Sequence, residues 1–185
     1  MTYYGGKELA AAFRTVRTNT IKIAEEIPED KYGFRAAPKC RTIGQALAHI
    51  ALGSGFQSYI HGNKVTDLMS VNFVELMQKA GAEEAKPRTK AEVIALLKKE
   101  GDAFAAFLDG LSESFLAEEV KMPPGGDKPA KTRFEMLLSA KEHEMHHRGQ
   151  LMTAQRVLGQ VPHLTRQMQE RFAARAAAAQ TPTVH

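Results

Sequence analysis

The chain has 185 residues, 43% hydrophobic and 25% charged, the balance of one globular domain able to bury about two-thirds of its unfolded surface. A single cysteine, Cys40, excludes a disulfide scaffold and a multi-cysteine zinc ribbon, and no apolar run is long enough to span a bilayer. The net charge of +4 is interleaved with acids, as in the stretch from Lys98 to Asp102, which describes a solvated surface and not a nucleic-acid stripe.

The first helical segment is expected over 4–27, where Leu9, Phe13, Val16, Thr20, Ile23 and Ile27 recur at helical spacing and Pro28 supplies the stop. A turn-rich link over 28–41 follows, anchored by Tyr32 and Phe34 and carrying Cys40. The second helix, 43–61, opens on Thr42-x-x-Gln45, the spacing at which two residues satisfy each other's free backbone N–H groups, and stops at Gly62. A long mixed connection over 62–88 holds a short helix near 72–79. The third helix, 90–110, opens on Thr89-x-x-Glu92 and carries the stripe Val93, Leu97, Glu100, Phe104, Phe107 and Leu111. Glu100 on that stripe is expected to snorkel or to pair with a neighbour.

Residues 120–131 are rich in Pro and Gly and read as a mobile link, and strand signals are weak throughout. The fourth helix, 133–158, opens on Thr132-x-x-Glu135 and stops at Gly159. A short helix over 165–178 and a frayed tail complete the chain. The predicted fold is all-α: an antiparallel four-helix bundle with a long connection between helices 2 and 3 and an extra short C-terminal helix. Residues 1–160 make the bundle, and 161–185 are appended within the same domain. The opening MTYYGGKELAAAF lacks a basic start and an apolar stretch, so no secretory signal is read and a cytoplasmic protein is expected.

With seven histidines and one cysteine, a metal here must be held by imidazole, helped by carboxylate, and not by thiolate. The fourth helix concentrates the chemistry. On a helical wheel Met136, Ala140, His143, His147, Leu151, Ala154 and Leu158 share one face, while His146 points aside. Two imidazoles four residues apart can converge on one metal ion. His49, on the apolar flank of the second helix with Ala46, Ile50, Gly53 and Phe56, is the best third ligand. His61 at a helix end, His163 after Pro162 and His185 in the tail are read as surface groups. The run HEMHH over 143–147 also satisfies the zinc-peptidase pattern H-E-x-x-H, with Glu144 as general base, although Glu144 could simply pair with Arg148 one turn on. Gln150 shares the inner face and is a candidate for orienting a substrate or water.

The segment EEIPEDKYGFRAAPKCRTIGQALAHIA followed at a distance by EHEMHHRGQLMTAQRVLG resembles the DinB-like (damage-inducible) superfamily of metal-binding four-helix bundles. This is not the translesion polymerase of similar name. The resemblance runs through nearly the whole chain and implies His49, His143 and His147 as the metal triad. It further implies a divalent ion, zinc or nickel first and iron or manganese behind them. Relatives include bacillithiol S-transferases and a mycothiol-dependent maleylpyruvate isomerase, so the expectation is a metal-dependent transferase or hydrolase, with a low-molecular-weight thiol as cosubstrate and a small electrophile as substrate. A non-catalytic metal- or ligand-binding stress-response protein is the alternative, and an HExxH zinc peptidase a further one. The ridge Phe134, Leu138, Met145 and Met152, opposite the histidines, is read as a homodimer contact, with cover by the 62–88 link as the plain alternative.

Overall fold

A computed structural model of the chain describes residues 4–180. Ten elements organise it: α1 Gly6–Glu26, α2 Ile43–Leu52, α3 Gly55–Gly62, α4 Phe73–Glu84, α5 Lys90–Asp109, α6 Glu113–Ala117, β1 Glu119–Lys121, β2 Ala130–Thr132, α7 Arg133–Val157 and α8 His163–Gln180. The three threonine caps form as read. In each, the hydroxyl accepts the backbone N–H of the residue three later, whose side chain returns to the threonine N–H, so α2, α5 and α7 begin where local chemistry places them.

α1, α2, α5 and α7 form the bundle, α1 and α2 each packing against both α5 and α7. One apolar cluster joins Ile23 of α1 and Ile27 just past its end, Ile43 and Leu47 of α2, Val93 and Leu97 of α5, and Leu151 and Ala154 of α7. A second joins Leu9 and Phe13 to Phe104, Leu108, Leu137 and Ala140. α1 and α7 therefore run from the second cluster to the first. α5 runs the other way, and α2 starts in the first cluster, so these two oppose α1 and α7. The long connection makes this order possible, because the chain must return the length of the bundle before α5 begins.

Several sequence expectations are corrected. The second helix is not continuous over 43–61 but breaks at Gly53 and Ser54, in a Gly-Ser-Gly run of low helix propensity. The helix expected near 72–79 extends over Phe73–Glu84, capped by Asn72. The link over 120–131 is not simply mobile: its ends pair as the antiparallel strands β1 and β2, with Val120 opposite Lys131 and Val120 fully buried. The stripe of α5 keeps Val93, Leu97 and Phe104 buried as expected, but Gly101 and Leu108 face inward with them, while Glu100 lies at the edge paired with Lys99. The C-terminal helix is long, 18 residues. His185 lies outside the described residues.

Of the proposed contact ridge, Phe134 and Leu138 pack partly buried on the second cluster, Met152 packs on the first, and Met145 is exposed. The start of the long connection covers a different face, with Val65, Leu68 and Val71 set against Ile60, Val120 and Met136. Among the described residues no helix is long and apolar enough to cross a membrane.

Candidate metal centre

The centre rests on a buried ion pair that ties four helices together. Arg17 of α1 is 4% exposed and Glu144 of α7 is 1% exposed. The Arg17 Nε lies 3.0 Å from both carboxylate oxygens, Nη1 donates to the Leu97 carbonyl of α5, and Nη2 donates to the Ile50 carbonyl of α2. Gly101 leaves room for this side chain, since a Cβ there would come within 2.8 Å of the Arg17 Cγ. Every strong donor and acceptor of the pair is thus engaged, as a buried pair requires. Glu144 does not pair at the helix edge with Arg148 as its principal partner; it is turned into the core.

With Glu144 committed to one side of α7, His143 and His147 project from another toward α2. There His49 meets them: its Nε2 lies 3.0 Å from the Nε2 of His143, and the three ring centroids are 4.6–4.9 Å apart. One ring nitrogen from each of the three lies within 4.8 Å of the others. Two nitrogens bound at 2.0–2.1 Å to one ion stand ~3 Å apart, so the His49–His143 spacing fits a shared ion. The third nitrogen needs a small inward adjustment to do the same.

Two of the outer nitrogens are held as well. Nδ1 of His49 is 2.8 Å from the Glu84 carboxylate, whose other oxygen accepts from Arg41 Nε at 2.5 Å. A carboxylate cannot donate, so His49 carries its proton on Nδ1 and offers Nε2 inward. Nδ1 of His147 donates to the Gln150 amide oxygen at 2.9 Å, and the Gln150 amide nitrogen donates to His146 Nε2 at 3.0 Å. Gln150 is exposed and lies behind a histidine, not on the inner face expected for it. Gly53 explains the break between α2 and α3 from the side of the site: a Cβ there would fall 2.8 Å from Cε1 and 2.9 Å from Nδ1 of His143.

Electrostatics favours the neutral form of two of the rings. Burial, reinforced by the neighbouring imidazoles, pushes the His143 imidazolium down to about 4. Burial also lowers His147, partly offset by its bond to Gln150. Burial alone would raise Glu84, but the bonds from Arg41 and His49 outweigh it and hold the carboxyl below its usual range. Neutral imidazoles are the form that ligates metal. Beside the cluster opens a cleft of about 940 Å³ whose wall includes His49 and His143 together with Phe56, Phe73, Leu76 and Met77.

The sequence profile that describes the DinB superfamily matches residues 12–151. The chain belongs to the DinB superfamily. Solved structures agree on the fold. A DinB-like protein from Bacillus subtilis, YjoA, is 21% identical, with a TM-score of 0.60 over 83% of this chain and 94% of its own. A DinB-like protein from Bacillus cereus is 16% identical, with a TM-score of 0.63 over 84% and 93%. YfiT from Bacillus subtilis, described as a probable metal-dependent hydrolase with an unusual four-helix bundle topology, is 16% identical, with a TM-score of 0.64 over 86% and 91%. No functionally curated protein matches the chain.

Two histidines read as surface groups are buried. His61 is 1% exposed, with Nε2 bonded to Gln57 and Nδ1 facing Arg133. Burial first and Arg133 second push its imidazolium down to about 4. His163 is 4% exposed, and its Nε2 donates to Asn19. Sequence reasoning also missed Glu84 and Arg41 behind His49. Only Gln57, one turn before His61, was a local signal for any of these partners.

Proposed function

We propose that His49, His143 and His147 hold one divalent cation, zinc or nickel ahead of iron or manganese. On this reading the protein is an enzyme that transfers a low-molecular-weight thiol to a small electrophile taken into the adjacent cleft. The observation that carries the reading is the convergence of three imidazoles, two of which, His49 and His147, already have their outer nitrogens fixed on Glu84 and Gln150. Once bound, such an ion supplies Lewis acidity at the position that three ligands leave open, lowering the pKa of a thiol or of water there.

The remaining work falls to the chain. Glu84 and Gln150 set the tautomers of His49 and His147, Gly53 lets the His143 ring approach, and the apolar wall of the cleft receives the substrate and excludes water. Both carboxylates near the cluster are engaged, Glu84 by Arg41 and His49 and Glu144 by Arg17. That favours a thiol, which needs no carboxylate base once its proton is lost, over carboxylate-assisted attack by water. It also removes the base that a zinc peptidase requires from Glu144. Hydrolysis is the second reading, favoured by the description of YfiT.

The test is a reaction of zinc- or nickel-loaded protein with a cysteine-derived thiol and an aryl halide, run beside an activated ester. Thiol consumption that stops with chelator and in His143→Ala supports the transferase. Ester cleavage with the same dependence moves the reading to a hydrolase. Metal binding with neither turnover moves it to a non-catalytic binding protein.

A further inference from the structure

A second polar cavity lies at the end of the bundle where α1 and α7 both terminate. Its volume is about 370 Å³, and Glu26, Gln155, Gln160, Val161 and Arg166 line it. Its construction follows from the end of α7. Gly159 adopts φ +78°, its N–H donates to the Arg156 carbonyl, and the Gln160 N–H reaches back to the Gln155 carbonyl at 2.8 Å. This is the six-to-one closure of a Schellman turn, and it folds Gln160 back over Gln155. Pro162 immediately precedes α8 and its carbonyl accepts from the Arg166 N–H, and the first turns of the helix bring Arg166 onto the Glu26 carboxylate at 2.5 Å.

The cavity leaves hydrogen-bonding capacity unspent. Gln155 is completely buried, yet both its amide oxygen and its amide nitrogen lack a partner, as do Glu26 Oε2 and Gln160 Oε1. Buried polar groups in folded proteins are as a rule paired, and four of the six buried side-chain atoms without a partner among the described residues lie on residues lining this one cavity, which marks a place for a ligand. Three of the four are acceptors, one of them anionic, and only the Gln155 nitrogen is a donor. The nearby cation is already engaged: Arg166 bonds Glu26 through Nη2 and the Val161 carbonyl through Nη1. Beside the cavity, His163 donates from Nε2 to Asn19, which leaves its unpartnered Nδ1 as one more acceptor.

We propose that this cavity is a binding site, separate from the histidine cluster, for a small primary amine in its ammonium form with a hydroxyl or carbonyl oxygen close to the nitrogen. Three N–H donors of the ammonium answer Glu26 Oε2, Gln155 Oε1 and Gln160 Oε1, and the ligand's oxygen accepts from the Gln155 amide nitrogen. Calorimetry and ligand-observed NMR on the full chain test it with 2-aminoethanol, tetramethylammonium and potassium chloride. Saturable binding of 2-aminoethanol is expected, with none for tetramethylammonium, which has no N–H. Gln155→Leu should weaken it by about tenfold or more, the loss expected when bonds to a charged group go. His143→Ala should leave it unchanged. Should Gln155→Leu fail to fold, Gln160→Ala on a half-buried residue removes one of the three acceptors. Absence of amine binding together with a higher melting temperature for Gln155→Leu identifies a hydrated cavity and overturns the proposal. Equal competition by potassium identifies an alkali-ion site and overturns it as well.

Discussion

Gly53→Ala separates the metal centre from the stability of the fold. The backbone at Gly53 is ordinary right-handed helix, φ −61° and ψ −27°, so glycine is needed there for space and not for freedom of rotation. An added methyl would stand 2.8 Å from the His143 Cε1, 2.9 Å from its Nδ1 and 3.2 Å from the His49 carbonyl. Carbon atoms in contact prefer about 3.5–4.0 Å, so the ring must retreat by roughly 1 Å. Metal–ligand distances tolerate only about 0.2 Å. Disturbing the support of a ligand in this way costs about 10–100-fold in metal affinity, or ~1.4–2.7 kcal/mol. In the metal-free protein, the ~0.4–1 kcal/mol gained when alanine replaces glycine at a compatible φ and ψ offsets part of an overpacking cost of ~1–3 kcal/mol. Competition with a fluorescent zinc chelator should therefore show weakened binding, while urea unfolding of the metal-free variant stays near wild type. A folded Gly53→Ala protein with wild-type zinc affinity would refute the placement of His143 among the ligands.

Three further outcomes are expected. Glu84→Gln removes the carboxylate from His49 Nδ1 and should lower metal affinity by about tenfold in the same competition; no change would mean that Glu84 does not support His49. Arg17→Met leaves Glu144 buried without a partner and should cost ~3–5 kcal/mol in urea unfolding, much of it recovered in Arg17→Met/Glu144→Leu. A single variant as stable as the double would contradict the buried pair. His61 remains neutral in the folded protein down to about 4 but takes up its proton near 6.5 when unfolded. The unfolded state then binds more protons across that window, so His61 contributes a loss of stability as pH falls from about 6.5 toward 4. NMR titration of the metal-free protein should show no protonation of the His61 ring near pH 6.5, and an inflection there would contradict its burial.

What could be read from the sequence was what local spacing encodes. Thr42 with Gln45, Thr89 with Glu92 and Thr132 with Glu135 lie three residues apart, and His143 and His147 four apart, so helix starts and the shared histidine face were visible before any packing was known. His49 followed from its place on an apolar flank. The parts that escaped depend on distant partners: Arg17 and Glu144 are 127 residues apart, and Glu84 reaches His49 across 35. His61 and His163 look like surface groups only while Arg133, Gln57 and Asn19 are out of view.

The central claim is that His49, His143 and His147 form one metal site. Calorimetric titration of zinc or nickel into the metal-stripped full chain, beside each of the three His→Ala variants, tests it most directly. The predicted result is one ion per chain with an affinity that falls sharply in every variant. Absence of stoichiometric binding, or binding that His49→Ala leaves intact, would contradict it.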